Sequence, residues 1–153
     1  MNISISNEYN KRTIKRLLSR SKIVDNGYIT PCLEWQGSIN KHGYGETSYL
    51  DVTVRVHVLF YKLNNSDAFN SKLQVLHKCD IRNCFNLDHL FQGSQSTNMK
   101  DCVSKGKHNQ TRKTHCLQGH EYNSENTYIR KGNKRDCKIC RKGAVKRYGI
   151  RIK

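Results

Sequence analysis

His77-Lys78-Cys79-Asp80-Ile81-Arg82-Asn83-Cys84-Phe85-Asn86-Leu87-Asp88-His89-Leu90 is the stretch that decides the fold. It spaces three soft ligands, Cys79, Cys84 and His89, along a loop with little apolar content. A structural zinc closes its shell with four ligands, usually thiolate and imidazole. Cys32 is the one upstream cysteine without another assignment, so Cys32, Cys79, Cys84 and His89 are expected to form a first zinc site.

Working outward toward the C-terminus, Cys116-x3-His120-x16-Cys137-x2-Cys140 repeats the logic. Two close pairs of soft ligands flank a spacer long enough for a hairpin, which predicts a second structural zinc. Within the spacer, Thr127-Tyr128-Ile129-Arg130 and Lys131-Gly132-Asn133-Lys134 read as strand and turn leading into a second strand. Of the seven cysteines only Cys102 is left over, and it is expected as a buried helix cysteine.

The elements around the first site are short. Leu73-Gln74-Val75-Leu76 reads as a strand running into His77. Ser96–Ser104 reads as a helix, capped near Ser94 or Ser96 and ended by Gly106. Upstream, a strand ending at Tyr49-Leu50 precedes the alternating run Val52–His57, and a short helix follows to Leu63. Gly27–Gly45 is turn-rich. Glu8–Lys22 carries Tyr9, Ile14, Leu17 and Leu18 among six Lys/Arg, which suits an amphipathic helix with a basic face. Three segments are expected: a basic N-terminal helix (1–26), a core with the first zinc (27–106), and a second zinc module with a basic end (107–153).

Composition narrows the partners. Among 153 residues, 28 Lys+Arg oppose 12 Asp+Glu, a net charge of +16. Like charge of that size repels itself unless a polyanion is bound, so nucleic acid is the natural partner. Hydrophobic residues make up 35% and mean hydropathy is −0.82, so metal is expected to supply stability that a modest core does not. Met1–Ser6 lacks the apolar region of a signal peptide, and no run of 18 apolar residues occurs. The chain is therefore expected inside the cell, in cytoplasm or nucleoid, with reduced thiols and no membrane partner.

Two residues bear on chemistry. His77 lies two positions before Cys79, where a closed zinc site would fix it, and Asn98 opens the later helix with a neutral oxygen suited to a hard cation. A base that activates water plus a divalent ion on the scissile phosphate suffices for phosphodiester hydrolysis. On the residues alone, His77 serves equally as a zinc ligand or a surface residue.

His77-Lys78-Cys79-x4-Cys84-x-Asn86-x2-His89-Leu90 followed by Asn98-Met99-Lys100 resembles the phage-type HNH endonucleases, and also the His-Cys box homing endonucleases that share a ββα-metal (His-Me finger) site. Cys32-Leu33-Glu34-Trp35, Gly43-Tyr44-Gly45 and the Cys116–Cys140 module resemble the same phage proteins, so the likeness spans roughly residues 31 to 140. The resemblance implies an α+β fold with little regular secondary structure, built on a ββα-metal core with two structural zinc ions. It implies Mg2+- or Mn2+-dependent cleavage of double-stranded DNA that leaves 5′ phosphate and 3′ hydroxyl. His77 would be the general base and Asn98 the catalytic-metal ligand.

The sequence departs from that pattern at two places. Leu76 stands where many HNH enzymes carry an acidic metal ligand, a ligand that the His-Cys box group also lacks. His57-Val58 stands where His-Arg is common, so His57 is read as packing. Arg55, one strand position earlier, is the candidate arginine at the scissile phosphate, with an ordinary exposed strand arginine as the alternative. Lys11, Arg12, Lys15 and Arg16 on the first helix, Arg112-Lys113, and Arg141, Lys142, Lys146 and Arg147 near the end are expected to follow backbone phosphates. Tyr44, Tyr49 and Tyr148 are candidates to stack on bases or to pack. A homodimer is a partner this reading admits. A non-catalytic zinc-dependent DNA-binding protein is the main rival, and an RNA-directed protein a second.

Overall fold

A computed structural model of the chain describes residues 2–132 and 134–148, with side chains described for 7–109, 112–132 and 134–147. The Tyr148 side chain and the basic stretch 149–153 lie outside the described residues. The chain divides into two compact units, Met1–Asn98 and Met99–Lys153. It is a small mixed α+β protein in which every sheet has two strands. No described helix is long and apolar enough to cross a membrane.

In the first unit, helix α1 (Asn2–Ser19) leads into the hairpin β1 (Ser21–Val24) and β2 (Cys32–Trp35). A second hairpin, β3 (Glu46–Tyr49) and β4 (Val52–Arg55), runs directly into helix α2 (Val56–Asn64). A third joins β5 (Gln74–His77) to β6 (Leu90–Gly93) across the ligand loop, with a short 3-10 turn at Leu87–His89, and helix α3 (Gln95–Ser104) follows. The turn-rich Gly27–Gly45 stretch thus contains a strand, and β1 and β6 were not legible as strands. Four residues show no convincing period on their own, and cross-strand pairing supplies the order.

The core of this unit is Leu17, Trp35, Val56, Leu59, Phe60 and Phe85. Helix α1 is therefore no appendage, because Leu17 is fully buried in the same cluster as Trp35. Arg16 donates to the Ser48 carbonyl at 2.9 Å and Tyr49 donates to Asn10 Oδ1 at 2.7 Å, fastening α1 to β3. Gly45 allows the approach of Trp35, since a Cβ there would sit 2.7 Å from its ring.

In the second unit, the short helix α4 (Asn109–Arg112) precedes a hairpin, β7 (Thr127–Arg130) with β8 (Lys134–Cys137), and helix α5 (Lys138–Tyr148). The expected hairpin is present, and the basic segment from Arg141 is helical as far as Tyr148, as part of α5. Its start is held by Asn126, whose carbonyl accepts from Lys138 N at 2.8 Å and whose Oδ1 accepts from Ile139 N at 3.0 Å. Such caps satisfy amides that a helix start leaves orphaned. Cys102, on α3, is half-exposed rather than buried.

Candidate metal centres and the histidine cluster

Both expected ligand sets converge. Ligand atoms of Cys32, Cys79, Cys84 and His89 lie within 4.8 Å of one another, as do those of Cys116, His120, Cys137 and Cys140. A tetrahedron with Zn–S about 2.3 Å and Zn–N about 2.0 Å has edges of about 3.5–3.8 Å. In the first cluster Cys32 Sγ and Cys84 Sγ each lie 3.5 Å from His89 Nδ1. In the second, Cys116 Sγ lies 3.4 Å from His120 Nδ1 and 3.6 Å from Cys140 Sγ, and Cys137 Sγ lies 3.7 Å from that nitrogen. Three thiols and one imidazole at these separations fit zinc, and both clusters could hold one ion each.

The local chain explains how the first cluster forms. Asp80 takes a positive φ of 60°, turning the main chain so that the Ile81 amide meets Cys79 sulfur. Phe85 N donates to the Leu33 carbonyl at 2.8 Å and Trp35 N to the Asn83 carbonyl at 3.0 Å, so the loop is laced onto β2 and brings Cys84 to Cys32. With Nδ1 of His89 facing the thiols, Nε2 carries the proton and donates to Thr30 Oγ1 at 2.7 Å. The hydrogen bond from Cys84 holds the Cys79 thiol down at about 5, and the same bond pushes Cys84 up.

His77 is not a ligand of the first cluster. Its Nε2 donates to the Cys84 carbonyl at 2.9 Å, since a carbonyl only accepts. Nδ1 of the neutral ring is then the lone-pair nitrogen. Burial pulls the His77 imidazole below its usual range, outweighing the Cys84 carbonyl bond. The His57 ring packs 4.5 Å from the His77 ring, and the Tyr44 ring 5.3 Å from His57. Burial, with His77 second, lowers His57 to about 3. Its Nδ1 is buried without a hydrogen-bond partner.

Arg55 reaches this group, its guanidinium 4.7 Å from the Tyr44 ring centre. Arg82 lies over the same ring at 5.9 Å and donates to the His42 carbonyl at 2.8 Å. Asn98 sits in the first part of α3, its amide bonded to the Ser94 carbonyl at 3.0 Å, and Ser94 Oγ caps the helix through Thr97 N at 3.1 Å. Gly93, at the end of β6, leaves room for the side chains of Leu76 and Thr97, since a Cβ there would lie 2.9 Å from Leu76 and 3.1 Å from Thr97.

His57 as packing is right as far as burial goes, yet that reading missed its contact with His77. No spacing in the sequence signals that contact, or the place of Arg82. Tyr44 packs against His57, and Tyr49 is occupied by Tyr9 at 5.7 Å and by Asn10. Among the expected phosphate contacts, Lys11 and Lys15 are exposed, Arg12 pairs with Glu8 at 3.3 Å, and Arg16 is engaged at Ser48. Arg112, Lys142, Lys146 and Arg147 are exposed, while Arg141 lies 4.3 Å over the Tyr128 ring.

The chain is 33% identical over 93 residues to Protein 2.8 of Escherichia phage T7, covering 61% of this chain and 61% of that protein. It is 33% identical over 76 residues to Protein 7.7 of Escherichia phage T7, covering 50% of this chain and 58% of that protein. The chain thus spans about six tenths of the length of the curated relatives it matches. No protein-family model and no solved structure matches it.

Proposed function

We propose that the chain is an HNH-type DNA endonuclease that hydrolyses phosphodiester bonds, with His77 as general base and Asn98 as the ligand of a catalytic Mg2+. The observation that carries this reading is the 2.9 Å bond from His77 Nε2 to the Cys84 carbonyl. It fixes the tautomer, orients the ring and leaves Nδ1 to take a proton from water. Water oxygen then bonds to phosphorus as the P–O3′ bond breaks, and the departing 3′ oxygen takes a proton from solvent, giving 5′ phosphate and 3′ hydroxyl. Burial that keeps His77 neutral suits a base acting near neutral pH. Arg55, extending past Tyr44, serves as a guanidinium donor to a phosphate oxygen.

A divalent cation would supply charge neutralisation at the scissile phosphate and the departing 3′ oxygen. The chain's own donor for it is the amide oxygen of Asn98, with Leu76 offering none beside the base. One neutral oxygen binds Mg2+ weakly, so phosphate oxygens of the DNA complete the shell.

The deciding experiment is cleavage of supercoiled plasmid with Mg2+ by wild type and His77→Ala, both holding two zinc ions. Nicked or linear product from wild type alone supports the reading. DNA binding by both with cutting by neither, on plasmid and on large genomic DNA alike, would replace it with the second reading: a zinc-dependent DNA-binding protein. That alternative is favoured by the two convergent clusters and the +16 charge, which it needs equally.

A further inference from the structure

The second Cys/His cluster borders a groove of about 400 Å3, into which Tyr122, Arg135, Asp136 and Arg141 project beside Leu117. Its two guanidinium groups are laid on aromatic rings. Arg141 lies 4.3 Å from the Tyr128 ring centre and Arg135 4.9 Å from that of Tyr122. A guanidinium lying over an aromatic ring loses rotamer freedom, and phosphates are gripped by guanidinium N–H groups. Arg135 is further held by its bond to the Lys113 carbonyl at 3.0 Å. The acidic group in the groove, Asp136, is paired with Arg130 at 2.9 Å.

The surroundings have the same sign. Helix α5 carries Lys138, Arg141, Lys142, Lys146 and Arg147 and no acidic residue. From residue 114 to 147 there are nine Lys and Arg against three Asp and Glu. We propose that this groove, with Arg135 and Arg141 seated on Tyr122 and Tyr128, is a docking site for the phosphate backbone of duplex DNA. The proposal rests on the DNA reading above but not on cleavage. It places the anchoring of substrate in the zinc module, apart from the histidine cluster.

A rival account has the two arginines compensating the cluster itself, since three thiolates around Zn2+ carry a net single negative charge. The test uses the full zinc-loaded chain and a labelled duplex without added Mg2+, comparing the parent with the double variant Arg135→Gln and Arg141→Gln and with Tyr128→Ala. Zinc content is read by a chromophoric chelator.

Affinity is expected to fall about tenfold in the double variant, with two zinc ions retained and the slope of log affinity against log salt reduced by about 2. Tyr128→Ala, which changes no charge, is expected to weaken binding as well. Unchanged affinity and slope in the double variant would overturn the proposal while leaving the DNA reading intact. So would a loss of affinity that only tracks lost zinc, or inorganic phosphate displacing DNA far better than chloride at equal ionic strength. A parent that binds no duplex would overturn both readings.

Discussion

Nε2 of His77 lies 2.9 Å from the carbonyl oxygen of Cys84, so the candidate base is tied to the main chain of a candidate zinc ligand. Phe85, the next residue, is fully buried and stacks edge-on to Phe60 at 4.9 Å. Core and metal site are therefore adjacent along the chain at Cys84-Phe85, and the base is tied to them by a hydrogen bond.

Cys84→Ser is accordingly expected to halve the zinc content to one ion per chain. It should lower the melting temperature sharply and abolish cleavage with His77 itself unaltered. Because zinc binding at such sites contributes folding free energy, added Zn2+ but not Mg2+ should restore chelator-treated wild type. Metal analysis, thermal melts and plasmid cleavage read this. A variant that keeps two zinc ions and full activity would refute the coupling.

His57 gives a pH signature. Its folded-state pKa is lowered to about 3, below the ordinary 6.5, by burial and by His77. Between those values the unfolded chain binds a proton that the folded chain refuses, so stability rises with pH through this window. The contribution is full above pH 6.5 and is lost as pH falls toward 3, with a slope approaching about 1.4 kcal/mol per pH unit for one proton. His57→Phe keeps the ring packing and removes the titration. Denaturant melts at a series of pH values should show a shallower acid slope in this variant, and equal slopes would refute the assignment.

Gly93 makes room for the side chains of Leu76 and Thr97. A methyl group there meets Leu76 at 2.9 Å and Thr97, one residue before Asn98, at 3.1 Å, so these side chains must shift. Gly93→Ala is expected to leave both zinc ions in place but cut the cleavage rate by an order of magnitude or more. Misplacement near 1 Å can cost about 100-fold. Single-turnover cleavage at saturating Mg2+ measures it, and an unchanged rate would mean that Asn98 does not need this placement.

Asn126 is almost fully buried and bonds the Glu121 carbonyl at 2.7 Å, Ile139 N at 3.0 Å and Cys137 Sγ at 3.4 Å. Removing its amide strands those groups. Asn126→Ala is expected to destabilise by about 2 kcal/mol and to weaken the second zinc selectively. Competition with a metallochromic indicator should then show one tight and one weakened site.

Arg55 is exposed at the edge of the histidine cluster, so its loss should not unfold the chain. Arg55→Ala is expected to slow cleavage by about 100- to 1,000-fold, in the range seen when one oxyanion donor is removed, with DNA affinity changed little. Full-rate cleavage by this variant would return Arg55 to the status of an ordinary strand arginine.

Both ligand sets were readable in the sequence because metal ligation restricts residue type and leaves spacing as evidence, even for Cys32, which lies 47 residues before Cys79. Helix α2, strands β4 and β5, the Ser94 cap and the β7–β8 hairpin were readable because period, cap and turn chemistry are local. Strands β1, β2 and β6 were not, since each owes its order to a partner strand rather than to its own four residues. Helix α5 was hidden by its charge, and what starts it is Asn126, more than ten residues earlier.

By itself, then, the sequence determined which atoms could gather around two metal ions and that the chain carries a net charge of +16. Only the tertiary structure decided that His77 Nε2 donates a hydrogen bond to the Cys84 carbonyl, that His57 closes over it, and that Arg135 and Arg141 rest on tyrosine rings. Ligand chemistry is a property of residue types. The direction of a ring nitrogen and the neighbour of a guanidinium are fixed only when distant segments pack together.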